Sequence, residues 1–497
     1  MVVSHTAIEM VDLPSEIWLY ITDFLRDDWK LYPRLLSVNP VFLDVALNRM
    51  WSEVNMDTGG GVDMQRTMHA LERLSDPFIS KRLKILTIEC RHYEPKPTAS
   101  TSQETNTSQE ISEAYEDFPT PYGRVSSREV LDCIIRALPQ FHNIEEISLE
   151  WYMPPSYNHE QKEILQSIWS RSPFLPNLKS LWLAGESLKD HRFFIETMPT
   201  LSRLEDVTFI FDGSYVQFDK SEVQDLSIFT SHILPYIEGI SPNLRSLSVR
   251  VRCFTGADFS PFFENLPRLP ALRELCISAY YDRSLKDLSS LYSFLERCPE
   301  TVRTLELDVG GLYEVYKPED LAKQIRLEEW LLRLFTSRNP RLFTNLEELA
   351  VADLSPTQRR ADIVIAILEK TGKTLRILDL ALYRCYKLFN SEELARIFDA
   401  AAKCRRLNIL RIYIDCFDWK FLDMFTRKLP SLQTLSISYA KTLPIISGEL
   451  GQDETIPPPV DGPLKGWVYR EQWKLDGVRK WQTGGSLHID NLKLAIA

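Results

Sequence analysis

One six-residue pattern, apolar-x-x-apolar-x-apolar, returns along the chain from residue 83 to residue 437. It reads Leu83/Leu86/Ile88, Ile144/Ile147/Leu149, Leu178/Leu181/Leu183, Leu204/Val207/Phe209, Leu244/Leu247/Val249 and Leu272/Leu275/Ile277. It continues as Val302/Leu305/Leu307, Leu346/Leu349/Val351, Leu375/Leu378/Leu380, Leu407/Leu410/Ile412 and Leu432/Leu435/Ile437, eleven copies in all. The last two apolar positions alternate with a polar one, as a strand buried on one face requires. Between copies lie stretches with apolar residues three and four apart: Gln161–Trp169, Glu222–Ile237, Asp287–Leu295, Glu319–Phe335, Arg360–Leu368 and Glu392–Phe398. These predict amphipathic helices. A proline often precedes the next hexad, as in Pro176-Asn177-Leu178, Pro242-Asn243-Leu244 and Pro430-Ser431-Leu432. Proline stops a helix and turns the chain toward the next strand. After a longer first gap, hexad starts lie between 25 residues (407 to 432) and 44 residues (302 to 346) apart.

Two segments break this rhythm. Residues 95–127 are rich in Ser, Thr, Gln, Glu and Pro, which predicts a disordered surface insertion. The tail 448–497 contains Pro457-Pro458-Pro459, Trp467, Trp473 and Trp481, and is expected to cover the last open edge of the repeats.

Ahead of the repeats, Ile17, Tyr20, Ile21, Phe24 and Leu25 recur at helical spacing, with Pro14 in the first turn and Asp12 placed to cap it. Leu35, Leu36, Val38, Val41, Phe42 and Val45 form a second apolar series, with Pro40 between two helical pieces and Trp51 closing the segment. So short a segment cannot bury that apolar surface internally. Something else must cover it.

The order Leu13-Pro14-Ser15-Glu16-Ile17, the helix ending near Leu25, the Leu35-Leu36-Ser37-Val38-Asn39 core and the closing Trp51 together resemble an F-box. The resemblance implies a three-helix module that docks on a Skp-type adaptor and so on a cullin–RING ubiquitin ligase. Carried over residue by residue, the adaptor-facing positions are Leu13, Pro14, Ile17, Ile21, Leu35, Leu36 and Val38. Pro33 departs from the family in a link that is usually helical. The plain alternative is a helical hairpin packed on the following domain.

The strand–helix units resemble leucine-rich repeats, which stack into a curved parallel sheet with helices outside. The asparagine usual after the third apolar position is absent and repeat lengths vary. The likeness therefore implies an irregular solenoid of the kind found in fungal F-box/leucine-rich-repeat proteins. A doubly wound α/β domain also alternates strands with helices, but does not account for eleven copies of one hexad. The expected fold is α/β. A flexible leader spans 1–10 and the F-box 11–56. A linker and helix span 57–80, with Asp57–Gly61 as a joint and a helix near 64–74. The solenoid spans 81–447, and the tail 448–497.

Composition narrows the choice of function. The 497 residues carry 58 Lys and Arg against 69 Asp and Glu, a net charge of −11, which disfavours a phosphate backbone as partner. No apolar run is long enough to span a bilayer, and the first residues lack a signal peptide's charged and apolar regions. Eight dispersed cysteines without C-x-x-C read as buried thiols. A cytoplasmic or nuclear location is expected.

Catalytic patterns fail one by one. Thr371-Gly372-Lys373-Thr374 imitates a P-loop end, but Ile367 stands where the first glycine belongs, and a helix ending at glycine fits better. No H-E-x-x-H, paired metal spacing or G-x-S-x-G occurs. Neither an active site, a metal nor a cofactor is expected.

The expected role is a non-catalytic substrate receptor of a Skp–cullin–F-box ligase, or, as the alternative, a repeat scaffold that never meets a cullin. In each hexad the third and fifth positions, and the residue after the sixth, point away from the core. They hold Glu89, Glu146, Glu150, Asp206, Glu274, Glu306, Asp308, Glu348 and Asp379, against Arg250 and Arg411. Trp182 and Tyr413 add aromatic area. This face is expected to meet a basic patch on a protein target. Its candidate contacts are Glu146, Glu150, Trp182, Asp206, Glu274, Glu306, Asp308, Glu348, Asp379 and Tyr413.

Overall fold

A computed structural model describes Ile17, Tyr20 and residues 40–58, 61–91, 126–152, 158–185, 195–211, 227–251, 258–279, 287–308, 318–339, 341–351, 359–380, 389–417, 424–425, 427–429, 432–442 and 485–490. The chain divides into two compact units. The first takes residues 1–184 with 196–203, the second 185–195 with 204–497. Each is an α/β, leucine-rich-repeat-like solenoid.

In the first unit, helix α1 (Pro40–Trp51) leads into strand β1 (Glu53–Asp57), helix α2 (Gly61–Leu74) and a single helical turn, α3 (Pro77–Ser80). Strand β2 (Ile85–Arg91), helix α4 (Ser127–Ala137), strand β3 (Glu146–Tyr152), helix α5 (Asn158–Arg171) and strand β4 (Ser180–Gly185) follow. β1, β2 and β3 pair in parallel, Val54 beside Leu86 beside Ile147.

The second unit carries β5 (Asp206–Phe211), β6 (Ser246–Val251), β7 (Glu274–Ala279), β8 (Thr304–Asp308), β9 (Glu348–Val351), β10 (Ile377–Asp379), β11 (Ile409–Phe417) and β12 (Thr434–Thr442). All eight pair in parallel in chain order. The crossovers contain α6 (Leu234–Ile240), α7 (Ser260–Asn265), α8 (Asp287–Arg297), α9 (Pro318–Phe335), α10 (Arg360–Thr371) and α11 (Ser391–Ala401).

Every apolar position of all eleven hexads is buried. The first sits in the turn before the strand, and the other two point from the sheet into the helix layer. Each such side chain contributes roughly 1.5–3 kcal/mol relative to exposure. A π turn at Phe229–Ile233 admits one extra residue ahead of α6. It seats Phe229 with ring centroids 5.0 Å from Phe211, 5.3 Å from Phe259 and 5.5 Å from Phe262. Tilted and edge-on contacts of this kind favour aromatic rings beyond simple burial.

The structure corrects several boundaries. Residues 53–56, assigned above to the helical module, are strand β1, and the proposed joint at 57 is its last residue, paired with Glu89. Thr58 is buried, and its amide donates to the Glu89 carbonyl at 3.0 Å. The signal was present: Trp51, Val54 and Met56 satisfy the same hexad. A shared backbone feature confirms the match. The Ser52 carbonyl accepts from Lys84 N and Ile85 N, as the Lys84 carbonyl accepts from Glu145 N and Glu146 N. Trp51 closes the N-terminal segment and opens the first repeat at once.

Helix α4 begins inside the span given to the insertion. Ser126 caps it and exchanges hydrogen bonds with Glu129 in a capping box. The rest of that span, 95–125, lies outside the described residues, as do the leader and most of the tail, including Trp467, Trp473 and Trp481. The tail contributes β13 (Gly485–Asp490), which pairs antiparallel with β12. The 371–374 segment is a helix end. Gly372 has φ −58°, so glycine is needed there for space rather than for a left-handed conformation.

Candidate functional site

Helix α1 is apolar on most sides, holding Val41, Leu43, Val45, Ala46, Leu47, Met50 and Trp51. A helix apolar all round belongs in a core. Yet Leu43 is 37% and Met50 52% exposed, and among its described side chains only Ala46 is buried. One buried cation holds its polar side. The Arg82 side chain, 4% exposed, donates to Asp44 Oδ1 at 2.7 Å, to the Asp44 carbonyl at 3.2 Å and to Asn48 Oδ1. It also donates to the Phe78 carbonyl at 3.2 Å and stacks 4.5 Å from the Phe78 ring centroid. Asp44 and Asn48 stand one helical turn apart, so a single guanidinium fork reaches both. In sequence, Lys81-Arg82 looks like an ordinary charged turn; only the fold shows that one member is buried.

Of the adaptor-facing positions, Ile17 is helical and 45% exposed, with Tyr20 one turn later 73% exposed. Leu13, Pro14, Ile21, Leu35, Leu36 and Val38 lie outside the described residues.

The outward face of the repeats mixes available and engaged groups. Glu146, Glu274, Glu348 and Trp182 are exposed, and Glu150 and Asp206 half-buried. Ser148 and Tyr152 hydroxyls both lie 3.4 Å from the Glu150 carboxylate. Three acids expected to meet a target are used within the sheet. Asp308 is buried and accepts from Ser278 Oγ at 2.7 Å, which removes it from the candidate contacts. Glu306 pairs with Arg250 at 3.2 Å, two strands away, while Arg250 Nε lies 3.3 Å from Cys276 Sγ between them. Asp379 pairs with Arg411 at 3.0 Å. Glu89 is likewise buried, bonded to Asn55 at 2.6 Å. Tyr413 stands in β11 beside Ser438 in register. Both bases, Arg250 and Arg411, therefore neutralise acids of their own sheet; the candidate acids left exposed are Glu146 in the first unit and Glu274 and Glu348 in the second.

Burial pushes the Cys276 thiol up to about 11, with Glu306 adding to the shift; it also lifts Cys404 to about 11 and Cys298 to about 12. These thiols stay protonated and unreactive near neutrality. Among the described residues, no group of three or more His, Cys, Asp or Glu could hold a metal ion. No described helix is long and apolar enough to cross a membrane.

No family model and no curated protein matches the chain. Among solved structures it is similar to a complex of Rad7 and Elc1 from yeast, at 18% identity over 84% of this chain and 90% of that one, with a TM-score of 0.40. It is also similar to a TLR13–ssRNA13 complex, at 12% identity over 79% and 52% with a TM-score of 0.29. A leucine-rich-repeat protein of Leptospira interrogans matches at 12% identity over 81% and 88%, with a TM-score of 0.27. Likeness at this level says nothing about what the chain binds.

Proposed function

We propose that this repeat scaffold is a non-catalytic substrate receptor of a Skp–cullin–F-box ubiquitin ligase. The observation that carries the reading is α1: an apolar helix fixed to the first repeat through Arg82, with Leu43 and Met50 left at the surface. Surface of this kind marks a docking site for another protein. It lies within the 11–56 segment whose Leu13-Pro14-Ser15-Glu16-Ile17 order resembles an F-box, so a Skp-type adaptor is the occupant that fits, and a cullin scaffold follows from the adaptor. The outward face of the repeats then holds a protein target. Rate enhancement comes from proximity, since the target's lysines are kept at high local concentration near the transferred ubiquitin.

The test is co-expression of the full chain with a Skp-type adaptor. Replacing Leu13 and Pro14 with alanine, or Leu43 and Met50 with glutamate, should abolish adaptor capture while the repeats unfold at an unchanged temperature. An interface anchor worth about 2 kcal/mol corresponds to roughly thirtyfold in affinity. Undiminished capture by both variants would sink the proposal. So would collapse of the whole chain's unfolding transition, which would make the segment structural.

A further inference from the structure

In the second unit every strand from β5 to β12 runs the same way, so each crossover returns to the same end of the sheet. The helix-to-strand turns therefore line up along one edge. Backbone hydrogen bonds tie neighbours together: Glu347 N to the Arg303 carbonyl at 2.8 Å, Arg376 N to the Glu347 carbonyl at 2.7 Å, Asn408 N to the Arg376 carbonyl at 2.8 Å.

The chain as a whole is acidic, at −11. This edge is not. Turns 371–377 and 401–409 hold Lys373, Arg376, Lys403, Arg405 and Arg406, all exposed, and no Asp or Glu. Among the described residues, Arg376 alone of the five is ion-paired, with Glu347 at 3.7 Å. Two acids stand on the last turns of the preceding helices: Glu369, and Asp399, which is already paired with Lys428 at 2.5 Å. Cations near a helix C-terminus often serve only the helix dipole, but that dipole amounts to about half a negative charge per helix. After α11 come three full positive charges, and after α10 two. The surplus is not explained by folding.

We propose that this edge is a docking surface for an acidic protein segment. It goes beyond the ligase reading and holds whether or not the N-terminal module meets an adaptor. Charge complementarity names the class of ligand. Three of the five bases are arginines, whose planar forks suit carboxylates held in pairs. A nucleic acid fits less well, because these two turns contain no aromatic side chain on which a base could stack. A densely charged backbone would also meet the acidic remainder of the molecule. A short carboxylate-rich segment feels chiefly the charges within a Debye length, about 8 Å at physiological salt.

The experiment uses the full chain and fluorescence anisotropy with a labelled oligoglutamate, an oligolysine of equal length and a single-stranded DNA of equal charge. A patch variant carries Lys373→Glu, Arg376→Glu, Arg405→Glu and Arg406→Glu. A control makes the same charge change on the first unit, at Arg66, Arg73, Arg171 and Arg203. The parent chain should bind oligoglutamate in preference to both other probes. The patch variant should lose on the order of tenfold in affinity, and the control less than about twofold. A glutamine version of the patch, tested for an unchanged near-ultraviolet circular dichroism spectrum, should lose binding in the same direction without charge reversal. No oligoglutamate binding by the parent chain, equal losses in patch and control, unchanged binding by a folded glutamine version, or tighter binding of the DNA would each overturn the proposal.

Discussion

Replacing Glu393 with alanine should unfasten α10 from α11. The Glu393 carboxylate receives Arg360 Nε at 2.9 Å and Nη2 at 2.6 Å, with the two side chains 8% and 13% exposed. It also accepts from the Asn390 amide at 2.9 Å, completing the capping box that starts α11. Arg360 lies over the Phe389 ring at 5.0 Å. Removing one partner of a buried pair costs about 3–5 kcal/mol, because the remaining charge stays buried and loses the carboxylate that received two of its N–H groups. Removing the cation instead should cost less. In Arg360→Met the carboxylate keeps the Asn390 amide and sits at a helix N-terminus that favours negative charge, so about 1–2 kcal/mol is expected. The double variant Arg360→Met/Glu393→Ala should cost well below the sum of the two single changes, which means strong coupling rather than additivity. Repeat arrays need not unfold in one step. Hydrogen exchange of α10 and α11 amides is therefore the assay, read beside the urea midpoint. By comparison Arg359–Glu329, at 3.4 Å with both side chains more than half exposed, should contribute less than about 0.5 kcal/mol. If Glu393→Ala costs no more than Arg360→Met, or the double variant is additive, the clamp is not what joins these helices.

Two further outcomes follow from burial. Gly372→Ala would ordinarily stabilise a helix end by reducing the freedom of the unfolded chain. Here an added Cβ would overlap the Leu368 carbonyl oxygen and come within 2.6 Å of Cys404 Sγ, so a loss of about 1–3 kcal/mol is expected in the unfolding midpoint. A neutral or stabilising result would mean that α10 and α11 separate more easily than the structure shows. The thiols of Cys276, Cys298 and Cys404 are raised from an ordinary 9.0 to about 11, about 12 and about 11. The folded chain keeps protons that the unfolded chain has released, so their contribution is fully present below about pH 9 and falls as pH rises toward 11–12. Alkaline titration of stability in the parent and in Cys298→Ala should show a shallower decline in the variant; identical slopes would show that Cys298 is not shielded.

The repeat pattern was legible in the sequence because it depends on neighbours within six residues. A strand with one buried face imposes period two, a helix on its outer side imposes spacing three and four, and Leu, Ile and Val at those positions leave the signature. That is why all eleven hexads are buried as expected, and why Trp51/Val54/Met56 fits once β1 is known to be a strand. Helix α4 was harder to read. Its capping residue Ser126 adjoins a long Ser-rich stretch, and one cap hydroxyl does not stand out among so many.

Charge was read less well, for a physical reason. A side chain's partner across a solenoid lies one or two repeats away: 26 residues from Arg250 to Cys276, 56 to Glu306, 30 from Ser278 to Asp308, 38 from Arg82 to Asp44. Those separations follow crossover length, which varies, and not the local period. An acidic face and a leucine-built core can both be read from the local pattern of residues. It takes the folded chain to show that Glu306 and Asp379 are neutralised by their own neighbours, that Asp308 and Arg82 are buried, and that scattered basic turns converge on one edge. Local periodicity selects which face of an element is buried; which charges meet is selected by the register between elements, and no short window of sequence contains it.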